Sequence, residues 1–191
     1  MVGMPPFVTG LVLTLGVMAP LSQGLSLQPG KCPEFITKLD FEVAPYLGKW
    51  IELARFTMPY ERGQTCNYAE YSDRGDGTVG VHNGGLDAGG TYTEIFGYAE
   101  TTPVNGALLL HLDGVPVAGD YNVLATDYTT YTAVYSCTNF LNLGHVDQAW
   151  ILARTPTLTK EQLEPALAAF SKWGIDTQHF FYTPQENCDY P

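Results

Sequence analysis

Over most of the chain, apolar and polar residues alternate in short runs. Trp50, Glu52, Ala54 and Phe56 fall on one side of an extended segment, with Ile51, Leu53 and Arg55 on the other. Residues 66–71 alternate in the same way. Further runs of strand length follow at 78–82, 91–100, 107–112, 121–126, 130–137 and 148–154, rich in Val, Ile, Leu, Thr and Tyr. Turn chemistry separates the early ones. Asp73-Arg74-Gly75-Asp76-Gly77, Asn83-Gly84-Gly85, Ala88-Gly89-Gly90 and Thr102-Pro103-Val104-Asn105-Gly106 all tolerate positive φ or fix a bend. Residues 113–119 and 139–147 read as longer loops. The pattern therefore predicts an all-β fold of eight strands at short spacing, either a sandwich or an up-and-down antiparallel barrel.

The period changes near the end. Thr159 can cap a helix, with Gln162 in the capping-box position. Leu163, Ala166, Leu167 and Phe170 then form one apolar stripe at helical spacing. Pro165 predicts a kink or a late start, and Gly174 a stop. A short last strand is predicted at 179–182. Eight strands closed into a barrel leave room for one small ligand, and the single C-terminal helix would lay its stripe on the barrel's outside.

The amino-terminal stretch reads differently. Residues 7–21 are apolar and uncharged, and Ser22 and Gly24 follow as small residues. This is the pattern of a cleaved secretory signal, too short to span a bilayer. Cleavage near Gly24 would leave 25–191 as a single secreted, extracellular domain with no transmembrane segment. The net charge is −11, which disfavours nucleic acid and anionic membrane surfaces as partners. Four cysteines, Cys32, Cys66, Cys137 and Cys188, in an exported chain imply two disulfides with three pairings open. No Cys-x-x-Cys pair points to zinc or redox chemistry.

Candidate chemistry is sparse. The chain has no Gly-x-Ser-x-Gly, phosphate-binding loop or dinucleotide fingerprint. His82, His111, His145 and His179 are scattered singly, so neither a metal site nor a catalytic residue is assigned. More telling is Gly48-Lys49-Trp50, a glycine turn feeding a Trp into a strand, set against Trp150-Ile151-Leu152-Ala153-Arg154, an apolar strand ending in Arg. An Arg there needs a partner, and the face of an indole provides one at ~0.5–2 kcal/mol. A core Trp and a solvated Arg remain the alternative at this point.

Gly48-Lys49-Trp50, Thr126-Asp127-Tyr128 and Arg154 together resemble, in order and spacing, the three motifs of the lipocalin family. Residues 121–137 (YNVLATDYTTYTAVYSC) and 145–156 (HVDQAWILARTP) resemble its apolipoprotein D-like branch, as does the start from Lys31-Cys32-Pro33. Crustacyanin-type carotenoid carriers and insect bilin-binding lipocalins are near neighbours. The resemblance implies that Trp50 and Arg154 close the narrow end of a barrel, with Gly48, Thr126, Asp127 and Tyr128 shaping it. It also implies disulfides Cys32–Cys137 and Cys66–Cys188. The implied ligand wall comprises Trp150, Leu152, Tyr71 and Ala69, plus Asn122 and, by alternation, Leu124. Asn122 stands where that branch carries a pocket Trp. Glu52 shares Trp50's face and needs a partner if buried. The implied function is a secreted carrier of a small hydrophobic ligand, such as a lipid, fatty acid or sterol. A pigment-carrying oligomer is the alternative reading, and a lipid-modifying enzyme a third. No cofactor is expected beyond a bound lipid, carotenoid or bilin. Partners beyond the ligand would be copies of the chain or a lipoprotein surface.

Overall fold

The computed structural model describes residues 27–141 and 143–190. The signal-like segment lies outside them. Eight antiparallel strands run in sequence: β1 (Gly48–Phe56), β2 (Thr65–Asp73), β3 (Val79–Leu86), β4 (Tyr92–Thr101), β5 (Ala107–Leu112), β6 (Gly119–Thr126), β7 (Tyr131–Phe140) and β8 (Gly144–Ala153). Each pairs with the next, and β1 pairs with both β2 and β8, which closes the barrel. A short helix, α1 (Val43–Tyr46), precedes β1. α2 (Lys160–Ser171) packs outside the barrel against β6 and β7. β9 (Phe180–Tyr182) then pairs with the second half of β1, where β2 has already left it.

Two apolar clusters follow from this layout. The outer one sits under α2. Ala166 and Phe170, two residues of the helical stripe, are fully buried against Ala133, Tyr135, Ala149, Ile151 and Phe180. The inner one fills the lower barrel around Trp50, Tyr46, Tyr71 and Val123. α2 starts directly after its Thr159 cap, whose hydroxyl accepts from the Gln162 N–H while Gln162 Oε1 accepts from the Thr159 N–H. Pro165 therefore does not delay it. Both disulfides form as the resemblance implies, Cys32–Cys137 and Cys66–Cys188.

Two expectations about strand ends are corrected. Asn83-Gly84-Gly85 is not a turn, because β3 continues through it to Leu86. The glycine is needed there for packing: a Cβ on Gly84 would come within 2.7 Å of the Tyr68 ring. Likewise residues 139–147 are mostly strand, since β7 and β8 extend until Phe140 pairs with Gly144.

A third correction concerns faces. A bulge at Leu53 breaks the β1–β8 register between Glu52 and Ala54. Glu52 opposes Leu152, but Arg55 opposes Trp150, so Arg55 joins Glu52 on the inner face. Ala54 and Phe56 turn outward into the cluster under α2.

Candidate functional site

The barrel is sealed at one end. The Arg154 guanidinium lies 3.7 Å from the Trp50 ring centroid, and Trp50 is fully buried. Arg154 donates to the carbonyls of Tyr128 (3.0 Å), Lys49 (2.8 Å), Leu47 (2.9 Å), Pro45 (3.1 Å) and Tyr46 (3.3 Å). The Trp50 indole N–H donates to the Tyr46 carbonyl at 2.8 Å. Gly48, at φ +91°, takes a backbone conformation that side chains resist, directly beside Arg154. The turn carrying Tyr128 is held by Asp127, whose carboxylate accepts the N–H groups of Thr129, Thr130 and Tyr131 at 2.7–3.1 Å. Burial alone would raise the Asp127 pKa; those backbone donors outweigh it and hold it below the usual carboxylate range. Thr126 donates to the Tyr131 carbonyl and accepts from the Tyr128 N–H.

Above this plug, hydroxyls form a floor. Tyr46 bonds Tyr121 (2.7 Å) and Thr132 (3.2 Å), and Tyr121 bonds Tyr71 (2.8 Å). Burial pushes Tyr46 up to about 12 and Tyr71 and Tyr121 well above the ordinary tyrosine value, so all three stay protonated.

Beyond the floor the barrel opens into a cavity of about 730 Å³, within the usual range of about 300–1,000 Å³ for small-molecule sites. Its walls come from all eight strands and from the loops after β1 and β5. Trp150, Leu152, Tyr71, Ala69, Leu110 and Leu112 supply apolar surface. Glu52, Glu61, Asn67, Asn83 and Gln148 supply a polar side.

A sealed base, a hydroxyl floor and an open apolar cup are joined by the sequence comparison. The family model described as a lipocalin-like domain matches residues 41–185. The chain belongs to the lipocalin family. Mouse (Mus musculus) apolipoprotein D is 35% identical over 177 residues, covering 92% of this chain and 93% of the mouse protein. Among solved structures, H1 crustacyanin from the lobster Homarus americanus superposes with a TM-score of 0.75 at 27% identity, over 84% of this chain and 91% of the other. Insecticyanin from the tobacco hornworm Manduca sexta gives 0.75 at 25% identity, over 86% and 91%.

The lipocalin motifs converge as the sequence predicts: Gly48, Trp50, Arg154, Thr126, Asp127 and Tyr128 all meet at the base. Of the expected wall, Trp150, Leu152, Tyr71 and Ala69 line the cavity. Asn122 and Leu124 do not. Asn122 opposes Tyr135, which lies in the outer cluster, and Leu124 itself packs in that cluster beneath α2. The cause is again register. Tyr121 and Val123 face inward, and a bulge at Leu124 then restores Thr126 to the inner face opposite Thr132. The indole-to-amide exchange at Asn122 therefore does not reshape this cup. Tyr121 is the wall residue that starting from Asn122 on the resemblance missed, and a register one residue earlier would have found it.

Glu52 is buried, as its position on Trp50's face requires. Glu52 Oε1 accepts from the Arg55 guanidinium and from the Thr183 hydroxyl at 2.6 Å. Arg55, also buried, donates further to Thr183 (2.9 Å) and to the carbonyls of Glu61 and Gln64. Glu61, from the loop after β1, places Oε2 3.6 Å from Arg55 Nε. Its burial and the nearby Glu52 charge push its pKa up to about 8, against the pull of Arg55 and of a Trp150 hydrogen bond. Three oxygens along this side, Glu61 Oε2, Asn67 Oδ1 and Asn83 Oδ1, are buried with no hydrogen-bond partner. Among the described residues no group of His, Cys, Asp and Glu could hold a metal.

Proposed function

We propose that this lipocalin carries a small hydrophobic molecule of the lipid class in its barrel, without transforming it. One observation carries the reading: a cavity of about 730 Å³, open at one end and closed at the other, lined by Trp150, Leu152, Tyr71 and Ala69. Burying a ligand's apolar surface there contributes ~25 cal/mol per Å² before ordering costs, and the polar side sets orientation. Export as residues 25–191 fits the uncharged apolar segment at 7–21. A pigment-carrying assembly is the second reading, favoured by the fit to crustacyanin and insecticyanin.

The test is native mass spectrometry of protein from its own source, followed by organic extraction and a visible absorbance spectrum. A single bound apolar molecule per chain, lost on extraction, supports carriage. Visible absorbance that travels with the protein selects the pigment reading. Protein that emerges ligand-free and binds none of a panel of lipids, sterols and pigments would overturn both.

A further inference from the structure

We infer that the cup selects an amphiphile whose head group donates hydrogen bonds and carries no negative charge, with a long-chain amine or amino alcohol as its best match. The inference rests on the carrier reading above and narrows it, away from fatty acids in particular.

The charge on the wall is one-sided. Glu52, Glu61, Glu94 and Asp120 line the cavity, and no Lys, Arg or His does so among the described residues. Glu94 already bonds His82 (2.9 Å) and Tyr92 (3.1 Å), and Asp120 pairs with Leu109 on a strand face that points away from the cup. The inner acids are therefore Glu52 and Glu61. Arg55 sits behind them, tied to Glu52, Thr183 and two carbonyls, with Glu61 Oε2 3.6 Å from its Nε, so two acids share one positive charge. Glu61 keeps its proton near neutrality; an ammonium beside it would draw that proton off and leave two ionised acids matched by two cations. A carboxylate in the same place would set a second negative charge beside Glu52, with Arg55 already paired to it, in a desolvated wall, which costs several kcal/mol unless it is neutralised.

Hydrogen bonding points the same way. The Asn67 amide N–H₂ is already donated to Gln64 Oε1 at 2.8 Å, leaving its oxygen over. Asn83 Oδ1 and Glu61 Oε2 are likewise buried and unpartnered. Along this wall, among the described residues, three buried acceptors go unmatched against one unpartnered buried donor, Arg55 Nε, and a buried acceptor left unmatched is a standing cost. A hydroxyl or ammonium head supplies the missing donors; a carboxylate supplies more acceptors. The alkyl chain has Leu152, Trp150, Leu110 and Leu112 to lie against.

The test uses three probes with the same chain, decylamine, decan-1-ol and decanoate, titrated into the protein at neutral pH and followed by tryptophan fluorescence. Decylamine should bind about tenfold or more tighter than decanoate, with decan-1-ol between. Glu61→Gln should shrink the amine-to-acid ratio to about threefold or less and leave decan-1-ol nearly unchanged. Asn83→Leu, which keeps Glu61, should weaken decylamine and decan-1-ol alike, by about threefold or more. Decanoate binding as tightly as decylamine, or a ratio that Glu61→Gln leaves intact, overturns the inference while the carrier reading stands. Failure of all three probes to bind overturns both.

Discussion

The two ends of the barrel handle polar groups in opposite ways. At the closed end, one guanidinium serves five carbonyls and one carboxylate serves three backbone N–H groups. In the cup, three oxygens are buried with no donor. A set of bonds satisfied inside the protein holds a shape, and a set left open asks for something from outside. The contrast separates what keeps this lipocalin folded from what it folds in order to do.

The contrast can be broken first at the base. Trp50→Ala removes a fully buried indole together with the face under Arg154 and should cost about 3–5 kcal/mol, read as a lower urea midpoint. A cost under about 1 kcal/mol would mean the plug is not a stability element. Next is Glu61→Gln. The folded protein holds the Glu61 proton up to about pH 8, whereas the unfolded chain releases it near 4.5. Stability from this group is therefore full at acid pH and is lost as pH rises towards 8. The variant should gain a few degrees in Tm over the parent at pH 8 and nothing at pH 4; equal gains at both would contradict the assignment. Asp127→Asn tests the opposite sign. A lowered carboxylate pKa contributes stability above the unfolded value that is lost as pH falls through the folded one. The variant should cost about 1 kcal/mol near neutrality, with the difference vanishing in strong acid. Smallest is Asn122→Trp. Because Asn122 faces away from the cup, decan-1-ol affinity should change less than about twofold; a larger change would return Asn122 to the wall.

Much of this was legible in the sequence, and each failure has a particular cause. Tyr71, Ala69, Trp150 and Leu152 lie in segments of β2 and β8 where period two holds, so alternation placed them correctly. β1 and β6 each carry a bulge, at Leu53 and Leu124. An extra apolar residue leaves no mark where both faces of a strand are buried, and from Trp50 to Phe56 every residue of β1 is buried. Hence Arg55 read as Glu52's opposite when it is its ion-pair partner; Asn122 entered the wall through the family resemblance and Leu124 through alternation from it, whereas the strand turns Tyr121 and Val123 inward. Asn83 was hidden for a different reason. Asn-Gly-Gly has turn chemistry, and only Tyr68 lying across Gly84 explains why the strand runs through it. The base was easier to read, because a Gly-x-Trp and a strand-ending Arg are each costly placements that make sense only together.

The central claim is a cup with Trp150 in its wall, above a plug that holds Trp50. The chain has three tryptophans, Trp50, Trp150 and Trp173, so ¹⁵N-labelled protein should give three indole N–H resonances. Titration with decan-1-ol should move the Trp150 resonance and leave Trp50, sealed in the base, and Trp173, outside by α2, where they are. A shift at Trp173 with Trp150 unmoved would place the ligand on the barrel's outside and contradict the account.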